Sequence, residues 1–95
     1  MRNYEAMYIL APGMEEEAIN AAVARFEDVV KNGGGEIAKT DLWGKRRLAY
    51  EVDGITEGYY VLMTFQSPAA AAQELERILK IQDNIVRHLV IKKED

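Results

Sequence analysis

Few side chains of this 95-residue sequence have the types and spacing that enzyme chemistry requires. The single histidine, His88, has no serine or paired carboxylate beside it, and there is no cysteine to act as a nucleophile or thiolate ligand. Glu15-Glu16-Glu17 is a poor metal site, because consecutive helix residues point in different directions. Gly33-Gly34-Gly35 lacks the lysine and hydroxyl residue of a phosphate-binding loop. The sequence therefore predicts no catalytic residue, no metal site and no cofactor.

The charged residues are unevenly distributed along the chain. Twelve Lys and Arg against sixteen Asp and Glu give a formal charge of −4, which excludes a uniformly basic protein that coats nucleic acid. Acidic residues are concentrated at 15–31, whereas bases occur in the triplet Lys45-Arg46-Arg47 and in the stretch 77–93. These bases either contact phosphates or protect edge strands against aggregation, and the sequence leaves both interpretations open.

The elements that must position these residues are indicated by hydrophobic periodicity. Alternation with period two predicts strands, and apolar residues at three-and-four spacing predict helices, in the order 4–10 strand, 15–31 helix, 36–52 strand, 58–66 strand, 69–80 helix and 85–92 strand. Gly44 indicates a bulge, and Asp53-Gly54 a turn that Gly58 closes. Ser67 is the expected N-cap of the second helix, with Pro68 at its first position.

This order predicts an α+β fold of the ferredoxin-like βαββαβ class, formed by one domain over residues 1–95. Two helices would cover one face of a four-stranded antiparallel sheet. We call the other side, which has no helix over it, the open face. Odd residues of the first strand should lie on this face, and the third strand is apolar on both sides, which predicts an exposed apolar patch that binds a partner. Scattered surface hydrophobic residues are the alternative.

An RNA-recognition module has the same topology and was compared with the third strand. Its signature requires a basic residue before the glycine and exposed aromatic rings at set positions. In Glu57-Gly58-Tyr59-Tyr60-Val61 the basic position is occupied by the acidic Glu57, and the second exposed ring is replaced by Val61. Stacking of single-stranded bases on this strand is therefore disfavoured.

Five blocks of the chain resemble, in order, the bacterial small-subunit (30S) ribosomal protein six family. The blocks are Met1-Arg2-Asn3-Tyr4-Glu5, Trp43-Gly44-Lys45-Arg46-Arg47-Leu48-Ala49-Tyr50, Glu57-Gly58-Tyr59-Tyr60-Val61-Leu62, Glu74-Leu75-Glu76-Arg77 and Val86-Arg87-His88-Leu89-Val90. The second block is the most specific, and the similarity extends over essentially the whole chain.

The resemblance implies a non-enzymatic protein that pairs with small-subunit ribosomal protein eighteen and binds the central domain of 16S rRNA during assembly. It implies no small-molecule substrate. On this basis, the expected RNA-contact residues are Arg2, Lys45, Arg46, Arg47, Arg87 and Lys92. The apolar residues expected on the open face, as contacts for the partner protein, are Met7, Ile9, Tyr59, Val61 and Met63.

Two departures from the family pattern limit these expectations. Glu51 and Val52 stand where the family often has a proline, and Asp53-Gly54 where it has lysines, which argues against RNA contact by this hairpin tip. The sequence also ends at Lys93-Glu94-Asp95, without the long charged tail of some members, so modification of such a tail is not expected.

Two other functions stay open from the residues alone. One is a ligand-sensing dimer that pairs through its sheet. The other is an acylphosphatase-like enzyme, although the turn Ala11-Pro12-Gly13-Met14 has no arginine to hold a phosphate. The absence of a signal-peptide pattern, together with apolar runs too short to cross a bilayer, predicts a cytoplasmic protein without membrane contact.

Overall fold

The computed structural model describes residues 1–93, so Glu94 and Asp95 of the expected C-terminal stretch lie outside the described residues. Its elements follow the predicted order: β1 (Arg2–Leu10), α1 (Glu16–Asn32), β2 (Glu36–Val52), β3 (Ile55–Ser67), α2 (Ala69–Ile81) and β4 (Ile85–Lys92). The strands form one antiparallel sheet in the order β2-β3-β1-β4. The predicted ferredoxin-like βαββαβ class is therefore confirmed.

The hydrophobic core lies between the sheet and the two helices. The even residues of β1 from Tyr4 to Leu10 are buried, as their period-two alternation predicts. Each helix adds an apolar stripe at three-and-four spacing, consisting of Ile19, Val23, Phe26 and Val30 on α1 and Ala71, Ala72, Leu75 and Leu79 on α2. One face of the sheet is thus covered by helices, and the other is the open face.

The start of α2 differs from the prediction. Ser67 is fully buried as the last residue of β3, where it pairs with Arg2. Its hydroxyl donates to the Pro68 carbonyl at 2.9 Å, and Pro68 itself occupies the N-cap position. The expected serine cap is therefore wrong, because the sheet extends to the residue that local sequence assigned to the helix start.

The β2–β3 hairpin is tighter than expected. Val52 pairs with Ile55, and Asp53 (φ 50°) and Gly54 (φ 82°) form a two-residue turn in which both residues have left-handed backbone. Gly58 does not close this connection, because it lies inside β3. Gly44 has φ 85° at a shift in the β2–β3 register, which confirms the predicted bulge.

Tyr8 carries a buried hydroxyl within this core. Its ring packs edge-on against Phe26 with centroids 4.9 Å apart, and its hydroxyl has no hydrogen-bond partner within residues 1–93. Burial, with a smaller contribution from the Glu27 carboxylate, raises the pKa of the Tyr8 hydroxyl above its ordinary value. The folded chain therefore keeps Tyr8 neutral at a pH at which the unfolded chain ionises it.

We expect Tyr8→Phe to raise the free energy of unfolding by about 1 kcal/mol at neutral pH, because it removes a buried polar group without a partner. Below about pH 10 Tyr8 is neutral in both the folded and the unfolded chain, so its titration costs no stability. As pH rises from there toward the raised pKa, only the unfolded chain ionises Tyr8, and the free energy of unfolding falls. The wild type should thus lose more stability than Tyr8→Phe between pH 9 and about 11 in urea titrations. A loss of stability on Tyr8→Phe at neutral pH would contradict this account.

Candidate RNA and partner interface

Two rows of side chains cross the open face. The strand registers place Met7 of β1 between Leu62 of β3 and Leu89 of β4, and in the next row they place Ile9 between Tyr60 and Arg87. Directly paired residues of neighbouring strands lie on the same face of a sheet. The first row is therefore apolar, and the second ends in a cation.

Three of the expected partner contacts lie on the other face. Tyr59, Val61 and Met63 pair with Leu10, Tyr8 and Ala6, whose side chains are buried beneath the helices. Val61 and Met63 are fully buried, and Tyr59 is half-buried against the core. The expectation that these three residues lie on the open face is therefore wrong. The sequence could not show this, because β3 is apolar on both faces and only its register with β1 decides which face is covered.

The two remaining contacts are on the open face but differ in accessibility. Met7 is half-buried, whereas Ile9 is only 6% exposed although no helix lies over it. Both line a shallow depression together with Leu48, Tyr50 and Tyr60. The most exposed aliphatic residues on this face are on β4, where Leu89 is 57% and Ile91 is 43% exposed. Tyr60, Leu62, Leu89 and Ile91 were not among the expected contacts.

An aromatic pair with an arginine lies beside Tyr60. The ring of Trp43 on β2 is nearly parallel to that of Tyr60, at 4° and with centroids 6.4 Å apart. The Arg46 guanidinium carbon is 5.3 Å from the centre of the Trp43 ring, a cation–π contact. The sequence analysis missed this group, because only the third strand was tested against the RNA-recognition signature for exposed rings. The available signal was the tryptophan of the second block, just before the basic triplet.

Arg87 makes a similar contact on the same face. Its guanidinium carbon is 5.1 Å from the centre of the Tyr50 ring. Arg46 pairs with Gly58 of β3. Gly58 lies against the Ile9 side chain, which a Cβ at position 58 would overlap. Ile9 in turn pairs with Arg87 of β4. Arg46 and Arg87 therefore both lie at the end of the open face near Ile9.

The other expected RNA contacts lie elsewhere. Lys45 and Arg47 pair with Tyr59 and Glu57, so strand alternation places them on the face opposite to Arg46. Arg2 and Lys92 are exposed at the end of the sheet opposite to Ile9, where Lys92 of β4 pairs with Tyr4 of β1. The six predicted bases thus form three separate pairs rather than one patch.

The six bases also differ in charge compensation. Lys45 lies 3.6 Å from a Glu57 carboxylate oxygen. Within residues 1–93, no ion pair is formed by the other five, namely Arg2, Arg46, Arg47, Arg87 and Lys92. An uncompensated cation is the better partner for a phosphate, because no internal contact has to be broken.

The single histidine lies away from the open face. His88 is half-buried and pairs with Tyr8, so it belongs to the helix-covered side of β4. No group of three or more potential metal ligands occurs in the described part of the chain. Neither α1 nor α2, the helices of residues 1–93, is long and apolar enough to span a membrane.

Comparisons with known proteins agree with the resemblance in the sequence. The family model for ribosomal protein S6 matches residues 3–92. The chain is 52% identical over 94 residues to small ribosomal subunit protein bS6 of Clostridium acetobutylicum, with 99% of each chain covered. It is 54% identical over 92 residues to the protein of the same name from Desulforamulus reducens, with 97% of each covered.

A solved structure extends this similarity to the fold. The crystal structure of 30S ribosomal protein S6 from Thermotoga maritima superposes with a TM-score of 0.91 at 31% identity, covering 97% of this chain and 87% of that one. Family model, full-length identity and fold therefore agree. The chain belongs to the ribosomal protein S6 family of the small ribosomal subunit.

Proposed function

We propose that this structural protein of the small ribosomal subunit binds the central domain of 16S rRNA jointly with small-subunit ribosomal protein eighteen. The observation that carries the proposal is the composition of the open face, where exposed apolar side chains lie beside uncompensated arginines. Such a face suits a protein partner and RNA at the same time. As a ribosomal protein the chain acts in the cytoplasm, in agreement with the sequence analysis.

The partner protein is proposed to cover the apolar row of the open face. Met7, Leu62 and Leu89 form this row, and Ile91 extends it on β4 because it pairs with Glu5 of the same face. Leu89 is 57% exposed, a large fraction for a leucine in the middle of a strand. Burying such side chains under a partner provides about 1.5–3 kcal/mol each.

The RNA contacts are proposed to start from Arg46 and Arg87. Both guanidinium groups lie on the open face beside the apolar row, so RNA held there would also touch the partner protein. Arg2, Arg47 and Lys92 are proposed as further phosphate contacts on other surfaces, and Lys45 as a weaker one because of Glu57.

The net charge of −4 explains why the binding would be shared. An acidic chain is repelled by RNA at a distance, and only its local cations are attracted at close range. A basic partner seated on the open face would reverse the sign of the combined surface. The proposed function therefore makes the affinity for RNA depend on the partner protein.

Affinity purification of the tagged chain from its own cells tests the proposal. At moderate salt, we expect recovery of 16S rRNA and of small-subunit ribosomal protein eighteen. Leu89→Glu should lower recovery of that partner about tenfold or more, because it puts a charge into the apolar row. Ile81→Glu is the matched control, since Ile81 at the end of α2 is 58% exposed but lies away from the open face.

Two outcomes would overturn the proposal. One is the recovery of a homodimer that carries neither RNA nor the partner protein, which would favour the sheet-paired ligand-sensing dimer. The other is loss of the partner in Ile81→Glu with full retention in Leu89→Glu, which would place the partner surface on the helical side.

A further inference from the structure

The β2–β3 hairpin reaches across the open face from one edge of the sheet to the other. β2 and β4 are the edge strands, and β3 and β1 separate them. Even so, the ring of Tyr50 near the end of β2 lies 5.1 Å from the Arg87 guanidinium carbon on β4. In a flat sheet, the three strand spacings between β2 and β4 would keep their backbones about 14 Å apart. The hairpin must therefore curl over the sheet.

The cause of this curl is visible in the strand pairing. Arg47 pairs with Glu57 and Val52 with Ile55, so residues 48–51 of β2 lie opposite Thr56 alone. Extra residues on one strand bend it and increase its twist. Leu48 fixes the bent segment, because it is only 7% exposed between exposed neighbours and lines the depression with Met7 and Ile9.

Tyr50 is neither a core residue nor a cation. It is 61% exposed, and its ring contacts the Arg87 guanidinium. Arg87 is exposed and uncompensated within residues 1–93, and a guanidinium stacked on a ring keeps its N–H edges available for a phosphate. A side chain held in place before binding loses less conformational entropy when the phosphate binds.

We infer that Tyr50 is a positioning residue for Arg87. By holding this guanidinium on the open face near Arg46, the curled hairpin joins cations from the two edge strands into one phosphate-binding surface. This inference rests on the proposed function, because it assigns Tyr50 a part in the same joint binding of rRNA. It is compatible with the expectation that the hairpin tip at residues 51–54 makes no RNA contact, since Tyr50 acts through Arg87 and does not contact RNA itself.

A double-mutant cycle in the complete complex tests the inference. Affinity for central-domain RNA is measured with protein eighteen present, for the wild type, Tyr50→Phe, Tyr50→Leu, Arg87→Ala and Tyr50→Leu combined with Arg87→Ala. We expect Tyr50→Leu to weaken RNA binding about three- to fivefold, the upper range for an exposed cation–π contact. Tyr50→Phe should bind like the wild type because it keeps the ring. In the Arg87→Ala background, Tyr50→Leu should have no further effect.

A purely structural role of Tyr50 would give a different pattern. It would lower the thermal stability of the free chain and its affinity for protein eighteen, and the loss would persist in the Arg87→Ala background. That pattern would overturn the inference but not the proposed function. The same holds if Tyr50→Leu leaves the affinity for RNA unchanged, or if Tyr50→Phe binds RNA as weakly as Tyr50→Leu. Failure of the wild-type complex to bind the RNA would instead refute the proposed function, and the inference with it.

Discussion

Replacing Gly35 with alanine is expected to lower the free energy of unfolding by about 3 kcal/mol. Gly35 directly precedes β2, and its N–H donates to the Val30 carbonyl at 2.9 Å. A Cβ at this position would lie 2.7 Å from each of three atoms, namely the Gln66 carbonyl oxygen, the Ser67 Cβ and a Val30 methyl carbon. None of these belongs to a flexible side-chain end, so the backbones of α1 and β3 would have to separate.

Gly13→Ala is the matched control for this effect. Gly13 has φ 87°, and an added Cβ there has no atom within 4 Å, so the substitution introduces backbone strain but no overlap. It should cost about 1 kcal/mol. In thermal denaturation, Gly35→Ala should lower the midpoint by roughly 15 °C. A loss no larger than that of Gly13→Ala would contradict the close packing of α1 against the end of β3.

The double variant Arg46→Ala with Arg87→Ala is expected to have the largest effect on RNA binding. Each lost phosphate contact lowers the slope of log affinity against log salt by about 0.7 to 0.9. Removing both arginines from the joint complex should therefore reduce the slope by about 1.4 to 1.8. The residues are exposed, so the fold should be unaffected, and circular dichroism of the free chain verifies this.

Two single variants serve as controls for the arginines. Lys45→Ala should change the slope by less than about 0.7, because Lys45 already lies 3.6 Å from Glu57. Lys80→Ala removes an exposed base from α2, on the helical side, and should leave the slope unchanged. If the double variant binds with wild-type slope and affinity, Arg46 and Arg87 are not phosphate contacts.

The fold was predictable because its signals are local. The even residues of β1 alternate, α1 and α2 carry apolar residues at three-and-four spacing, and Asp53-Gly54 is the residue pair that a two-residue hairpin favours. Ser67 is an instructive exception. Its local pattern with Pro68 is that of a helix start, but pairing with Arg2 extends β3 through it, and tertiary contacts decide such positions.

The site was only partly predictable because it depends on contacts between distant strands. Val61 and Met63 could not be assigned to a face, since β3 is apolar on both and a shift of one residue in register reverses every side chain. Arg46 and Arg87 were recognised as cations from the sequence. Their approach to one end of the open face depends on the registers of four strands, and the contact of Tyr50 with Arg87 depends on the curl of residues 48–51. No local pattern reveals either.

The central claim is joint binding, and the most direct measurement is the affinity of the chain for 16S central-domain RNA with and without small-subunit ribosomal protein eighteen. Trp43, the single tryptophan of the chain and 40% exposed on the open face, offers a fluorescence signal for the titration. We predict that the partner raises this affinity about 100-fold, a coupling free energy near the upper end of about 1–3 kcal/mol. Equal affinities with and without the partner would contradict the claim.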